Sequence, residues 1–247
     1  MSGEPPRARR PKWLPALAAF VTAALCIAAG NWQHRRMLEK EALQASITRA
    51  ATAAPVALPA GVEDWNAWRF RRVMASGEYD AAHQILIDNK VRRGEAGFDV
   101  VTPLRMRDGR SVLVDRGWIR IGASRAMLPQ PAPPAGSVTV DGRIDVPPRN
   151  YFELGDGSAP SGPLWEHLDP LRYAKATGID VLPIVIEATQ AGGGAGLVRD
   201  FPLPDTGIER HLSYMVQWYT FAAMAVGLWA WFALVRPHLA RRMHVAG

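Results

Sequence analysis

Residues Met215–Val235 read MVQWYTFAAMAVGLWAWFALV and contain no charged side chain. A helix of this length extends about 30 Å, which matches the thickness of the hydrocarbon core of a bilayer. Aromatic residues stand near both ends of the stretch, at Trp218, Tyr219, Trp229 and Trp231, as they do where spanning helices cross membrane interfaces. The stretch therefore predicts a transmembrane helix, and the alternative is a helix buried in a soluble core.

A second apolar stretch, Trp13–Gly30 (WLPALAAFVTAALCIAAG), lies near the start of the sequence and also lacks charge. Its roughly 18 residues are at the lower limit for a spanning helix. A cleaved signal peptide is the competing interpretation, because basic residues precede the stretch and Ala28–Gly30 could serve as a cleavage site. The apolar run is longer than most signal cores, which favours a membrane helix.

The distribution of charge explains the basic character of the chain. The formal net charge is +6 and the pI is near 9.9, values that by themselves suggest an anionic partner such as nucleic acid. However, residues 1–40 carry +5, residues 236–247 carry +3 and the residues between them carry −2. Basic residues at the outer ends of both apolar stretches predict that both termini are cytoplasmic. The pattern indicates a lipid bilayer, and no nucleic acid, as the partner of the basic ends.

The central part of the chain has the pattern of a β-rich domain. Apolar alternation and short apolar runs predict strands at residues 69–79, 84–89, 98–106, 111–119, 137–146 and 181–188. Asp108-Gly109 predicts a hairpin turn, and Leu164–Gly178 predicts one helix. These elements predict an antiparallel β-barrel or sandwich with one helix.

Together these features predict an α+β membrane protein in which two transmembrane helices flank an extracytoplasmic domain. His34–Ala50 has apolar residues at helical spacing and is followed by an Ala/Pro stretch, so it is expected to extend the first span as a stalk. The expected boundaries are a basic cytoplasmic tail at 1–12, a transmembrane helix at 13–30, the stalk and linker at 31–60, the β-rich domain at 61–209, the second transmembrane helix at 210–235 and a second cytoplasmic tail at 236–247.

Common enzyme signatures are missing from the sequence. It contains no G-x-S-x-G, H-E-x-x-H or C-x-x-C motif, and its single cysteine, Cys26, lies in the first apolar stretch. His167 and Asp169 could pair in a membrane-anchored hydrolase, but no motif orders them. Asp115–Trp118 (DRGW), at the end of a strand, is either a site or a structural turn, and the turn is favoured. We therefore expect no enzymatic activity.

The most informative polar residues stand where the second apolar stretch begins. On a helix, His211, Tyr214 and Trp218 occupy positions i, i+3 and i+7 and share one face. A histidine at the membrane boundary can bind a metal or haem iron through a neutral imidazole. The alternative is an interfacial histidine beside ordinary belt aromatics, and spacing alone favours that alternative.

A second polar and aromatic cluster stands at the outer end of the first apolar stretch. Residues Asn31–Arg36 read NWQHRR and supply Trp32, Gln33 and Arg36 as candidate binding residues. Two helices with such ends could frame an interfacial pocket, in which an arginine would meet a propionate or another carboxylate. His34 is a further candidate ligand by position.

Four ordered motifs carry a resemblance to a known family. Gly30–Lys40 fits G-x-W-Q-x-x-R-x-x-x-K, Gly77–Tyr79 fits G-x-[YF], Val112–Trp118 is similar to VLVNRGW, and Arg210–Tyr219 is similar to HLxYxxTWY. With two apolar stretches around them, these motifs resemble the surfeit-locus (Surf/Shy) assembly factors of cytochrome c oxidase over nearly the whole chain. Asp115 stands in place of the commoner Asn, and Gln217 in place of Thr.

The resemblance implies a membrane factor that helps to build haem-copper oxidases and handles haem a on its way to the catalytic subunit. It places the candidate iron ligand at His211. Arg36 and Arg116 are our candidate cations for a carboxylate. The implied partners are the catalytic subunit and other oxidase assembly factors. The alternative is a chaperone that stabilises an oxidase intermediate without binding haem. Because the residues before Trp13 do not look like a mitochondrial transit peptide, we expect a bacterial plasma membrane, with the central domain in the periplasm.

Overall fold

The computed structural model describes residues 13–122, 127–148, 162–189 and 196–238. The tail expected at 1–12 and most of the tail expected at 236–247 lie outside these residues. The chain forms two compact units. One comprises the residues up to Ala45 together with those from Pro204 onward, and the other comprises Ser46–Leu203.

The first unit is built from two long helices. Helix α1 (Leu14–Thr52) has 39 residues and runs from the first apolar stretch through the predicted stalk without a break. The C-terminal helix, α3 (Ile208–Ala230), continues into a π-helical turn at Trp231–Val235 and remains helical to His238. Both helices are long and apolar enough to cross a membrane, as predicted. At about 1.5 Å per residue, α1 extends about 58 Å, nearly twice the thickness of a bilayer core.

The second unit is a closed β-barrel with one helix. Its elements are β1 (Val56–Ala57), β2 (Arg72–Tyr79), β3 (Ile85–Arg92), β4 (Glu95–Met106), β5 (Ser111–Arg120), β6 (Ser137–Asp145), β7 (Leu164–Trp165), α2 (Pro170–Thr177) and β8 (Val181–Ala188). The strands pair in the order β2-β6-β8-β5-β4, and β4 pairs again with β2, which closes the barrel. The prediction of a barrel with one helix, flanked by two membrane helices, is therefore confirmed.

Alternating side chains separate the inside of the barrel from its outer face. On β5, Val112 and Val114 are fully buried in the barrel core together with Ile144 and Ile186. The intervening Leu113 belongs to a second cluster on the outer face, which α2 covers. Tyr173 of α2 is fully buried in that cluster and donates a hydrogen bond to the backbone oxygen of His83 at 2.8 Å.

Two details differ from the sequence-based expectation. The barrel is mostly antiparallel, but β5 and β8 pair in parallel, because α2 lies on the outer face of the sheet and leads directly into β8. The helix expected at Leu164–Gly178 begins only at Pro170, where the side chain of Asp169 caps it by accepting hydrogen bonds from two backbone N–H groups. Leu164 and Trp165 instead pair with β3.

Candidate functional site

A buried polar contact joins α1 to α3 at the start of the second apolar helix. His211 Nδ1 lies 2.8 Å from Gln33 Oε1, and Gln33 is only 9% exposed while His211 is partly buried. With the amide oxygen as acceptor, Nδ1 is the donor, and in the tautomer of the neutral ring that has this proton the lone pair is on Nε2. Histidines that bind metals are held in this way by a second-shell acceptor, which fixes both the tautomer and the orientation of the ring. The contact with Gln33 therefore orients the ring of His211.

Further contacts hold the same helix pair together. Tyr219 Oη donates to Asn31 Oδ1 at 2.7 Å, and a Cβ atom at Gly30 would lie only 2.6 Å from the ring of Tyr219. Gly30 therefore lets the two helices approach closely. Outside the apolar segments, the backbone N–H of Thr206 donates to Gln44 of α1 at 3.3 Å.

The predicted aromatic residues divide between two surfaces. Trp218 is partly buried in the contact between the helices, where it packs against Ala23, Cys26 and Ala222. Tyr214 is 47% exposed and Trp32 is 49% exposed, so both present open ring surface. The face shared by His211 and Trp218 is therefore the face of α3 that meets α1, and Tyr214 lies to one side of it.

Arg36 lies one helical turn beyond Trp32. Its guanidinium carbon is 6.0 Å from the centre of the Trp32 ring, and its Nη1 atom lies 2.8 Å from a carboxylate oxygen of Glu39. Both partners of this ion pair are more than half exposed, and such surface pairs contribute little stability. The Arg36 guanidinium therefore remains accessible for another carboxylate.

Arg116 belongs to the other unit and has its own partners. It is fully buried, and its guanidinium donates to the side chains of Gln84 at 2.7 Å and Thr102 at 3.4 Å and to the backbone oxygens of Pro131 at 2.9 Å and Ala132 at 2.9 Å. Burial lowers the pKa of Arg116 from its usual value. The contacts of Arg116 thus tie a loop to the barrel.

The segment around Arg116 forms a β-bulge within β5. Asp99 of β4 pairs with Trp118 and Val101 pairs with Asp115, so two residues of β5 lie opposite one residue of β4. Gly117 has φ +126°, and Asp115 Oδ1 accepts a hydrogen bond from its N–H at 3.0 Å. The favoured interpretation as a structural element with a buried Trp118 agrees with this geometry, although the element is a bulge and not a turn.

The arrangement of α1 and α3 can supply one imidazole ligand, aromatic surface and one accessible cation. In the part of the chain that the structure describes, no three His, Cys, Asp or Glu side chains lie close enough together to hold a metal ion.

Comparison with known proteins identifies the family to which the chain belongs. The sequence model of the SURF1 family matches residues 20–223, which include both apolar helices in large part and the whole barrel. This protein belongs to the SURF1 family.

Relatives of this SURF1-family chain occur in eukaryotes and bacteria. It is 26% identical to the surfeit locus protein 1 of Takifugu rubripes over 88% of this chain and 95% of the relative. It is 29% identical to a SURF1-like protein of Mycobacterium tuberculosis over 96% of this chain and 89% of the relative. A 96-residue segment is 32% identical to the cytochrome oxidase assembly protein SHY1 of Saccharomyces cerevisiae, over 36% of this chain and 24% of the relative.

Two contacts in this SURF1-family structure are not predicted from the sequence. They are the hydrogen bond between Asn31 and Tyr219 and the packing of Gly30 against Tyr219. Asn31 and Tyr219 lie in the quoted motifs, but spacing within one helix does not show which residues of two helices meet. Gly30 gave a usable signal, because a glycine inside a helix is unfavourable unless a close approach requires it.

Proposed function

We propose that this protein is an assembly factor for a haem-copper cytochrome oxidase, acting on the catalytic subunit together with other assembly factors. Support comes from membership of the SURF1 family and from the relative named as a cytochrome oxidase assembly protein. The absence of the usual enzyme motifs from the sequence agrees with an assembly role and not with catalysis.

The cargo that fits the helix pair is haem a, bound through His211 on its way to the catalytic subunit. The observation that carries this proposal is the bond between His211 Nδ1 and Gln33 Oε1, because it leaves Nε2 to bind iron. The exposed rings of Trp32 and Tyr214 offer flat apolar surface, and the accessible guanidinium of Arg36 suits a propionate. Trp218 supports the site from within the helix contact.

The protein is proposed to span a bacterial plasma membrane twice, with both termini in the cytoplasm and the barrel in the periplasm. The basic residues at the outer ends of the two apolar stretches support this orientation. Long domains cross the membrane largely regardless of their charge, so the residues of Ser46–Leu203 do not oppose it.

The haem proposal is tested by purifying the full chain in detergent from cells that make haem a and recording optical spectra. We expect a Soret band in the wild type and the loss of most bound haem in His211→Ala. Gln33→Leu keeps the ligand but removes the acceptor at Nδ1, and changes of this kind lower metal affinity about 10–100-fold. His83→Ala, in the barrel unit, is the control and should bind as the wild type does. Unchanged haem content in His211→Ala would remove His211 from the role.

A second candidate function is a chaperone that stabilises an oxidase intermediate without holding haem. The near-neutral charge of the residues between the basic ends favours a docking surface for a protein. Under this alternative, oxidase subunits copurify with the chain while no Soret absorbance is found, and His211→Ala assembles the oxidase normally.

A further inference from the structure

A row of carboxylates crosses the outer face of the barrel. Asp115 of β5 is paired directly with Glu187 of the parallel strand β8, and Asp99 of β4 is its diagonal neighbour across the β-bulge. Like charges on directly opposed residues destabilise a sheet. We call these three residues the carboxylate ladder. They lie on the same outer face of the sheet as the apolar cluster that α2 covers.

The carboxylate ladder lines a small polar cavity. The cavity has a volume of about 310 Å³, and Asp99 and Asp115 are only 3% and 7% exposed. Three further segments line it, Pro147–Pro148, Glu166–Leu168 and Phe201. Charged and titratable groups from several elements surround Asp115. The cations are Lys90 and Arg92 of β3, Arg143 of β6 and Arg69, and Arg69 pairs with Asp145. The other groups are Asp99 of β4, Asp145 of β6, Glu187 of β8, and Glu166 and His167 before α2.

Cations around the cavity form ion pairs with two of the three ladder carboxylates, Asp99 and Glu187. Lys90 Nζ lies 3.2 Å from Asp99 Oδ2, and Arg143 Nε donates to Glu187 at 2.8 Å. Asp115 forms no ion pair with any described residue, and its one described hydrogen bond comes from the N–H of Gly117. A buried carboxylate with so few donors is costly when charged.

Asp99 also lacks a hydrogen-bond donor, at one of its two oxygen atoms. Its buried Oδ1 atom has no hydrogen-bond donor among the described residues, and the nearest cation there, Arg92 Nη2, is 3.8 Å away. An acidic proton in the cavity would supply such a donor. Burial, followed by the charges of Asp99 and Glu187, raises the pKa of Asp115 well above its usual value, and burial raises the pKa of Glu187.

We propose that the carboxylate ladder is a proton-binding site, in which Asp115 keeps its proton to a higher pH than an exposed aspartate does and loses it as the pH rises further. The proton removes one of the opposed charges and provides a hydrogen bond for Asp99, directly or through a water molecule in the cavity. Deprotonation places uncompensated negative charge in the wall of the barrel.

The sign of the effect on stability follows from proton linkage. A carboxyl group whose pKa is raised by folding binds more protons in the folded chain than in the unfolded chain. Its contribution is fully present below the unfolded pKa and is lost as the pH rises through the folded pKa. The barrel should therefore unfold more easily in alkaline than in neutral solution.

The test compares the full chain in detergent with the variants Asp115→Asn and Asp108→Asn. Asn mimics a protonated Asp, so Asp115→Asn should have the same urea midpoint at about pH 6 and about pH 9, whereas the wild-type midpoint falls. Asp108 is an exposed aspartate whose hydrogen bonds with Arg110 lower its pKa, so Asp108→Asn should follow the wild type. A wild-type midpoint that does not fall, or one that falls equally in Asp115→Asn, would overturn the proposal.

Infrared difference spectra give a second measurement that does not depend on unfolding. The wild type should show the carbonyl band of a protonated carboxylic acid at about pH 6 and lose it on alkalinisation. The band should be absent from Asp115→Asn and present in Asp108→Asn. If Asp115→Asn does not fold, Glu187→Gln serves in its place, because removing a neighbouring negative charge should move the loss of the band to lower pH. A band that persists in Asp115→Asn, or does not move in Glu187→Gln, contradicts the assignment.

Discussion

Gly117 shows how a short signature can be structural although its residue types suggest a site. A Cβ atom at this position would lie 2.8 Å from the backbone oxygen of Val198, and the φ angle of +126° is unfavourable for any other residue. Trp118 and Val198 exchange two backbone hydrogen bonds of 2.8 Å at the same place. The bulge therefore needs glycine for its backbone, and the Arg116 guanidinium beside it donates to four acceptors.

Gly117→Ala is expected to destabilise the barrel more than Gly136→Ala does. Both glycines have positive φ angles, but a Cβ atom at Gly136 would meet nothing within 4 Å. An unfavourable backbone angle costs about 1–3 kcal/mol, and Gly117→Ala adds the clash with Val198 to that cost. The measurement is the free energy of unfolding in urea, followed by tryptophan fluorescence. Equal losses in the two variants would mean that the backbone around Val198 can relax.

At the scale of the element, the helix pair depends on one small residue and the polar contacts near it. Gly30 lies against the ring of Tyr219, and Asn31 accepts a hydrogen bond from the hydroxyl of that tyrosine. Two residues further along α1, Gln33 forms a hydrogen bond with His211. Close packing and interhelical hydrogen bonds are the main forces between helices in a membrane, because lipid is as apolar as the side chains. The position of the candidate ligand is therefore tied to the packing at Gly30.

Gly30→Ala is expected to weaken the helix pair, whereas Gly227→Ala should not. Alanine favours a helix over glycine by up to about 1 kcal/mol, and Gly227 has nothing within 4 Å of a new Cβ atom. At Gly30 the same methyl group meets the Tyr219 ring, and overpacking of this kind costs about 1–3 kcal/mol. Thermal unfolding of the full chain in detergent measures both effects.

A double-mutant cycle identifies the cause. Tyr219→Ala removes the ring, so Gly30→Ala should cost little when Tyr219→Ala is already present. If the cost of Gly30→Ala is the same with and without Tyr219, the methyl group acts on another part of the helix pair.

For the whole molecule, hydropathy and alternation predict the elements better than they predict the contacts. Residues 181–188 were predicted as a strand and form β8, because such patterns report burial within one segment. Closure through β2 and β4 and the parallel pairing of β5 with β8 depend on distant residues, and no local pattern reports them. Leu164 and Trp165 fit a helical pattern but pair with β3, because Asp169 and Pro170 define a later start for α2.

The candidate site was predicted in part for a similar reason. Gln33 and His211 were chosen from their places at the ends of the two apolar stretches, and the structure joins them. The sequence offers Arg116 as a cation for a carboxylate, whereas four acceptors in the barrel unit surround it. Only the folded chain shows whether a charged group already has its partners.

The division of charge predicts the orientation of the whole chain in the membrane. Green fluorescent protein fused after Gly247 should fluoresce, because it folds in the cytoplasm. Alkaline phosphatase inserted at Gly109, where a new side chain would meet nothing within 4 Å, should be active, because it requires the periplasm. In the matched control the two reporters are exchanged, and we then expect neither fluorescence nor phosphatase activity. Since positively charged loops are retained in the cytoplasm, replacing Arg236, Arg241 and Arg242 by Gln should reduce the fluorescence of the C-terminal fusion. An active phosphatase after Gly247 of the unaltered chain would reverse the proposed topology and place the basic ends outside.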